Sequence, residues 1–429
     1  MNSLIYQINE KPPIKEAIVL AFQQVLAIMA ATITVPMIIG NGLDPSAAIF
    51  GAGIGTFIYL FFTKMKSPVF LGSSFAFIGS MIAAFAGAAT VGLGYLGLII
   101  GAIFAGLVYV IIAAVVKAVG TNWIEKLMPP VVIGPTVAII GLGLAGSAIS
   151  NLTTGGYWGI LCGMVALFTT MLASAYGSPK VKMIPFIFGI FTGYVVALAV
   201  SCAGIPLIDL TIFSNMQLLS VPNFVFISAL GAFSELTPGY IGTIAVAYIP
   251  VAFVVFAEHL ADHRNLSTIV KQNLLKEPGL HRTLLGDGIG SIGGAIFGGC
   301  PNTTYGESIA TTAFTKSAST FVIAVAATQC LIISFIGPIA TILSSIPACV
   351  MGGVTMLLYG YIASSGLKMF KHVDFEDMNN IMVISIILIT GIGGLTLSIG
   401  AITLTSVACA LILGIITNLI LPHKDKEDK

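Results

Sequence analysis

The sequence predicts an all-α polytopic membrane protein with about fourteen transmembrane spans. Of its 429 residues, 57% are hydrophobic and only 8% are charged, and the mean hydropathy is +1.04. Soluble domains carry about 25% charged residues. A net charge of +1 provides no field that would attract nucleic acid, so we expect no nucleic-acid partner.

Windows of about 20 apolar residues define the predicted spans. In chain order they cover residues 16–39, 46–63, 69–87, 94–116, 128–149, 157–176, 183–203, 240–262, 283–299, 302–315, 317–341, 346–366, 378–394 and 397–421. The third and tenth are short and contain polar residues and glycine. We expect each of these two to be broken, with a short strand followed by a half-helix.

The charges support this count. All 18 Lys and Arg residues fall outside the spans, in connections on one side of the membrane or at the chain ends. The connections after odd-numbered spans carry acids such as Asp44, Asp209 and Glu235 and no basic residue. The positive-inside rule then places both termini, including a tail at 422–429, in the cytoplasm. We expect the protein to lie in the cytoplasmic membrane.

Two halves of seven spans form the single membrane domain of residues 1–429. Residues 1–210 and 225–421 have opposite orientations because seven is an odd number, which is typical of an inverted-topology repeat. A segment at about 204–239 with three prolines connects them outside the membrane. The broken spans are third in each half, and transporters place binding sites at such paired interruptions.

The two broken spans read KSPVFLGSSFAFIGS and CPNTTYGESIA. Irregular backbone at membrane depth is tolerated only where it is buried or lines a cavity. The start of a half-helix leaves backbone N–H groups without partners, and these suit the carbonyl oxygens of a ligand. The alternative is a proline kink in each span, with Ser and Thr bonded back to the helix.

Four acids lie deep in the apolar sequence: Glu258, Asp262, Asp287 and Glu307. An acidic side chain at the bilayer centre costs about 2.5–3.5 kcal/mol, and such residues are candidates for function. No Lys or Arg lies inside a span, so these acids must be neutral, bind a cation or accept hydrogen bonds from a ligand. A structural role remains open for Asp262, as a cap before Arg264, and for Asp287.

Glycines recur every four residues in the ninth span, at Gly286, Gly290, Gly294 and Gly298. This repeated GxxxG spacing predicts a face on which a second helix packs closely. It does not indicate a phosphate-binding loop, because no strand precedes it.

Two other classes of function compete with transport. His259, Asp262 and His263 resemble an inverted zinc-protease motif, with Asp in place of Glu. An intramembrane metalloenzyme is therefore an alternative, although we identify no third ligand and predict no metal or cofactor. A passive channel is the other alternative, but a carboxylate-lined pore would not need two broken helices.

At these residues the sequence resembles the nucleobase–ascorbate transporter family, specifically its bacterial uracil permease branch. The resemblance covers nearly the whole chain and rests on the segments EKPP, LGSSFAFI, FAEH, KEPGLHR, PNTTYGE and GGVTMLLYG. The family signature begins at Glu307 and ends at Thr315 and Lys316, but Ser308 and Ala310 stand where Asn and Gly are usual. Glu at the first position is similar to the uracil branch.

The resemblance implies a proton-coupled symporter that imports uracil, with substrate-binding residues Glu258, Glu307, Ser74, Phe75, Tyr305, Gly306 and Tyr359. The acids deep in the apolar sequence and the adjacent histidine are the candidates for proton coupling, namely Glu258, Asp262, His259 and Asp287, and helix geometry favours Glu258. Gln24 and Asp262 stand where relatives have histidine, which leaves the proton carrier open. Another nucleobase, or coupling to sodium, is the nearest alternative.

The resemblance also implies how the spans are arranged. Spans one to four and eight to eleven would form a core that holds the site. Spans five to seven and twelve to fourteen would form a gate, frequently in a homodimer. The lipid bilayer, uracil and the proton are the expected partners.

Overall fold

A computed structural model describes residues 4–120, 123, 129–178, 181–214, 216–399 and 402–422. The helices and the strand before residue 215 are α1 (Ile14–Ile39), α2 (Pro45–Phe62), β1 (Leu71–Ser73), α3 (Ile78–Ala86), α4 (Val91–Val119), α5 (Pro130–Gly143), α6 (Ala145–Leu152), α7 (Gly156–Tyr176) and α8 (Pro185–Cys202). The predicted tail lies outside the described residues except for Pro422.

The remaining elements are α9 (Val225–Leu230), α10 (Pro238–Val270), α11 (Leu280–Gly298), β2 (Asn302–Thr304), α12 (Gly306–Thr315), α13 (Thr320–Ile333), α14 (Gly337–Ser344), α15 (Ala348–Lys368), α16 (Met378–Ile392), β3 (Leu397–Ile399), β4 (Ile402–Leu404) and α17 (Ser406–Ile420). Within the described residues, eight helical segments are long and apolar enough to cross a membrane. Four further apolar helical segments have 10–17 residues.

The helices pack in two groups. The first contains α1 to α4 and α10 to α13, in which α11 packs against both α2 and α4. The second contains α5 to α8 and α15 to α17, in which α15 packs against α5, α6 and α7. The long helix α10 also contacts α17, β4 and α5, so it lies where the two groups meet.

One predicted helix end was wrong. The eighth span was expected to end near Asp262, but α10 continues to Val270. The window followed hydropathy alone, whereas His263, Leu266 and Val270 follow helical spacing and are buried. The helix therefore continues with one buried face after its hydropathy falls.

Two predicted spans, the eleventh and the fourteenth, are interrupted in the structure. The predicted span 317–341 divides into α13 and α14, because a proline in the first turn of α14 favours a new helix start. In the predicted span 397–421, β3 and β4 form an antiparallel hairpin before α17 begins. Their sequences LSI and ITL are rich in β-branched residues, which favour strands.

The glycine face of α11 packs against α2, as predicted. A Cβ atom at Gly290 would lie 2.7 Å from the carbonyl oxygen of Gly55, and one at Gly298 would lie 2.5 Å from the Cα of Ala48. Backbone atoms cannot move aside as a flexible side chain can. The two helices therefore approach so closely that only glycine fits at these positions.

We expect Gly290→Ala to lower the melting temperature of the purified protein, because overpacking of this kind costs about 1–3 kcal/mol. The matched control is Gly360→Ala in α15, where a Cβ atom meets nothing within 4 Å. The control should be neutral or stabilising, because alanine favours a helix over glycine by roughly 0.5–1 kcal/mol. Equal melting temperatures for Gly290→Ala and the wild type would contradict this close packing.

Candidate functional site

The site is built around two short strands that meet inside the first group of helices. Leu71 pairs with Thr304, Gly72 with Thr303 and Ser73 with Asn302 in an antiparallel ladder. All six residues are buried. After β1 the chain enters a 3₁₀ turn at Phe75–Phe77 and then α3, and after β2 it enters α12. Both predicted broken segments thus consist of a strand followed by a helix.

Some backbone N–H groups at these helix starts already have partners. The amide of Ser74 donates to the carbonyl oxygen of Pro301 (2.9 Å), and that of Tyr305 donates to the carbonyl oxygen of Phe70 (3.2 Å). The first bond of α12 runs from Ile309 to Tyr305, so the amides of residues 306–308 have no acceptor within the helix. The donors available for a ligand therefore begin at Gly306.

Gly306 is also the open position at this helix start. It is exposed, and a Cβ atom placed there would meet nothing within 4 Å. Tyr305, by contrast, is 4% exposed, and its hydroxyl donates to the carbonyl oxygen of Ser73 (2.7 Å). The Tyr305 side chain thus links the end of β2 to β1 by a hydrogen bond. It would contact a ligand only through packing.

Glu258 and Glu307 face this region from two helices. Glu258 is on α10, which contacts β2, α12 and the 3₁₀ turn, and Glu307 is in the first turn of α12. Glu258 is exposed and Glu307 is half-buried. Neither carboxylate forms a side-chain hydrogen bond or an ion pair with another described residue, and the two are close enough to interact electrostatically. The structure therefore brings together two carboxylates that can accept hydrogen bonds from a ligand.

Asp262 lies one turn further along α10 and is half-buried. It accepts a hydrogen bond from the hydroxyl of Thr304 in β2 (2.9 Å). It does not cap the helix, which continues for two more turns to Val270. Its role as a helix cap before Arg264 is therefore ruled out, and the residue instead connects α10 to the strand.

The neighbouring His259 faces away from the carboxylates and into α11. Its Nδ1 lies 2.7 Å from Oδ2 of Asp287, and its Nε2 lies 3.0 Å from the hydroxyl of Thr283. His259 is 0% exposed and Asp287 is 1% exposed. Asp287 also lines, with Ser291 and Tyr109, a cavity of about 10 Å³, which is far too small for a nucleobase. This pair therefore lies inside the helix packing.

His263 is equally enclosed. Its Nδ1 donates to the carbonyl oxygen of His259 (2.9 Å), and its Nε2 lies 2.7 Å from the hydroxyl of Tyr59. The rings of His259 and His263 stack with centroids 4.1 Å apart. All four ring nitrogens thus have hydrogen-bond partners, and within the described part of the chain no group of three or more His, Cys, Asp or Glu residues could hold a metal. The geometry gives the metalloenzyme alternative no support.

Gln24 and three further predicted residues lie around the strands or further away. Gln24 is buried in α1 and its amide donates to the Thr312 hydroxyl on α12 (3.2 Å). Phe75 is half-buried in the 3₁₀ turn. Ser74 is 1% exposed, and its hydroxyl forms no hydrogen bond with another described residue. Tyr359 is buried in α15, in the second group of helices.

A cavity of about 400 Å³ lies between α3, α5, α10 and the start of α17. Its lining includes Gly79, Ile140, Thr243, Val251 and Ser406. Glu258 follows Val251 by seven residues, so it lies on the same face of α10, about 10 Å along the helix axis. Val251 thus lines the cavity from the same face of α10 that carries Glu258.

Two hydrogen-bond partners in this region, Thr304 of Asp262 and Thr283 of His259, were not predicted from the sequence. Thr304 was treated only as part of the irregular backbone, and its bond to Asp262 depends on the pairing of two distant segments. Thr283 was not considered, although it precedes Asp287 by four residues on one face of α11. That spacing was a usable signal.

Solved structures with similar folds are transporters. The transmembrane domain of a cyanobacterial bicarbonate transporter, BicA, superposes with a TM-score of 0.66 at 14% identity and covers 96% of this chain and 100% of that one. The SLC26A9 structure gives a TM-score of 0.63 at 12% identity and covers 95% of this chain and 66% of that one. At these identities the likeness concerns the fold alone.

The sequence comparisons are more specific. Residues 15–400 match the family Xan_ur_permease, described as a permease family. The uracil permease of Bacillus caldolyticus is 40% identical over 99% of this chain and 96% of its own length. Those of Bacillus subtilis and Escherichia coli K12 are 39% and 34% identical, over 95% and 96% of this chain and 93% of each relative. These matches confirm the family resemblance seen in the sequence: the chain belongs to this permease family and is a multi-pass membrane transporter, not an enzyme.

Proposed function

We propose that this protein is a proton-coupled symporter that imports uracil across the cytoplasmic membrane. The observation that carries the proposal is the pair of unpartnered carboxylates, Glu258 and Glu307, beside a helix start with available N–H donors. Relatives named uracil permeases match nearly the whole chain, which supports uracil as the substrate.

The chemistry of uracil suits this arrangement. The base has two N–H donors and two carbonyl acceptors on one small ring. Glu258 and Glu307 would accept from the N–H groups, and the amides from Gly306 onward would donate to a carbonyl oxygen. Ser74, Phe75 and Tyr305 would shape the site by packing, and Tyr359 would bound it from the second helix group. A site with such groups rejects analogues that leave them unpaired.

The proposed transport mechanism depends on the arrangement of the two helix groups. We assign fourteen spans to two inverted repeats, residues 1–210 and 225–421, with both termini and the tail 422–429 in the cytoplasm. The first helix group would be the core and the second the gate, in a protein that functions in the bilayer as a homodimer without a cofactor. The cavity lined by Thr243 and Val251 would then be the path for the base from outside.

We expect cells that lack their own uracil permease to accumulate radiolabelled uracil when they produce this protein. Uptake should saturate and should fall when the proton gradient is collapsed, but not when sodium is replaced by potassium. An excess of unlabelled uracil should compete better than xanthine or other bases. Uptake no higher than in empty-vector cells, with the protein present in the membrane, would contradict the proposal.

Glu258→Gln and Glu307→Gln should each weaken uracil binding by at least about tenfold. Each change places a donor opposite a ligand N–H, and a buried unpaired group costs about 1–3 kcal/mol, 1.4 kcal/mol being a factor of ten. The measurement is equilibrium binding to the purified variants, and Glu376→Gln, an exposed residue between α15 and α16, is the matched control. Wild-type affinity in either site variant would show that the base binds elsewhere.

We further propose that Glu258 carries the coupled proton. Its carboxylate has no partner among the described residues, whereas Asp262 is held by Thr304. Asn at position 262 can still accept from the Thr304 hydroxyl, so Asp262→Asn should keep substantial accumulation driven by a pH gradient. Glu258→Gln should lose it and at most equilibrate uracil.

The measurement is uptake into proteoliposomes with and without an imposed pH gradient. Equilibrium binding to the same preparations serves as the control for folding. If Asp262→Asn abolished the response to the gradient while binding remained intact, Asp262 and not Glu258 would carry the proton.

A further inference from the structure

Three buried oxygen atoms on the neighbouring helices α4 and α11 have no hydrogen-bond partner among the described residues. They are the hydroxyl of Tyr109 on α4, Oδ1 of Asp287 on α11 and the hydroxyl of Ser291 one turn later on α11. These residues are 4%, 1% and 4% exposed, so bulk water does not reach them. Buried polar atoms in folded proteins nearly always have a partner, either in the protein or in an ordered water molecule. Three such atoms in one place therefore indicate a bound polar ligand.

The three residues line one small cavity between the two helices. Its volume is about 10 Å³, and Phe77 and Val255 contribute apolar walls. A water molecule needs about 10–15 Å³ of such space and two to four polar partners. We propose that this cavity binds one ordered water molecule, which bridges Tyr109, Asp287 and Ser291.

Water matches these partners whichever way their hydrogens point. A water molecule can donate two hydrogen bonds and accept two, and each hydroxyl can donate or accept. Neither hydroxyl bonds to another described residue, so each can rotate towards the water in either role. Oδ1 of Asp287 accepts from the water when it is ionised and can donate to it when it is protonated. The proposed site therefore does not depend on the protonation state of Asp287.

Two glycines that line the cavity fix its size. A Cβ atom at Gly106 on α4 would lie 2.7 Å from the carbonyl oxygen of Gly288 on α11, and one at Gly288 would lie 2.7 Å from Cβ of Tyr109. The two helix backbones thus touch beside the cavity and cannot move closer to fill it. The site is formed by rigid helix packing and not by a loop.

The bridging water connects α4 to the buried pair of Asp287 and His259. Oδ2 of Asp287 lies 2.7 Å from Nδ1 of His259, and the water bonds to the other oxygen of the same carboxylate. The ring of Tyr109 also meets that of His259 edge-on, with centroids 6.1 Å apart. Tyr109, the water, Asp287 and His259 thus form one polar chain from α4 to α10, which ends beside Glu258.

A sodium ion fits this cavity less well than water. The volume admits one water-sized particle, so an ion would have to enter without its hydration shell, which is costly for a charge in a buried place. Three side-chain oxygens would replace that shell, and the acid among them, Asp287, also has His259 as a partner. We therefore assign the site to water, whichever base or ion the protein transports.

The test is an experimental structure of the full chain in lipid nanodiscs without uracil, at a resolution that shows ordered water. It is determined once in sodium chloride and once in choline chloride. We expect the same density peak in both, about 2.7–3.2 Å from all three oxygens. The proposal is overturned if no peak is present while other buried waters are visible, or if the peak appears only with sodium. This experiment requires no transport, so its outcome is separate from that of the proposed function.

Removal of one hydroxyl tests the bridge through stability. Tyr109→Phe should lower the melting temperature by about 1–2 °C, because it removes a bonded hydroxyl. The matched control is Tyr248→Phe in α10. The Tyr248 hydroxyl is also buried without a partner among the described residues, but Tyr248 does not line this cavity. The control should be neutral or stabilising, and equal melting temperatures for the two variants would contradict the bridge. If Tyr109→Phe does not fold, the wild-type structure decides.

Discussion

Backbone amide groups at membrane depth have no water to bond with, and this constraint shapes the centre of the molecule. The chain meets it by pairing two interrupted segments, β1 and β2, which are more than 200 residues apart in the sequence. The ladder satisfies the irregular backbone of both segments at once. Tyr305 strengthens it by donating to the carbonyl oxygen of Ser73 (2.7 Å). Without this pairing, neither helix start could remain in the apolar interior.

The pairing also determines which polar groups are available for a ligand. It uses the amides of Ser74 and Tyr305 and leaves those at the start of α12 without an acceptor in the helix. Helix α10 passes beside the ladder, and the polar residues of α10 lie on two different faces of the helix. Asp262 bonds to Thr304 of β2, and His259 bonds to Asp287 of α11. Glu258, like Glu307 on α12, has no side-chain hydrogen-bond partner among the described residues, so both carboxylates are available to accept hydrogen bonds from a ligand.

Much of this arrangement could be predicted from the sequence, because membrane depth makes polar residues conspicuous. The broken segments, Glu258, Glu307 and the glycine face of α11 all followed from hydropathy and spacing. The partners of Asp262 and His259 did not, because they depend on contacts between segments that sequence order does not bring together. The predicted end of α10 was wrong because hydropathy and helical spacing disagree there. The last predicted span was wrong because β3 and β4 form a hairpin within an apolar stretch.

We propose that a nucleobase binds between α10 and the paired strands. An experimental structure of the protein with bound uracil tests it most directly. We expect the ring within hydrogen-bond distance of both Glu258 and Glu307, with a carbonyl oxygen facing the amides at the start of α12. Uracil found only in the cavity beside Ile140 and Ser406, with both carboxylates free of contact, would contradict it.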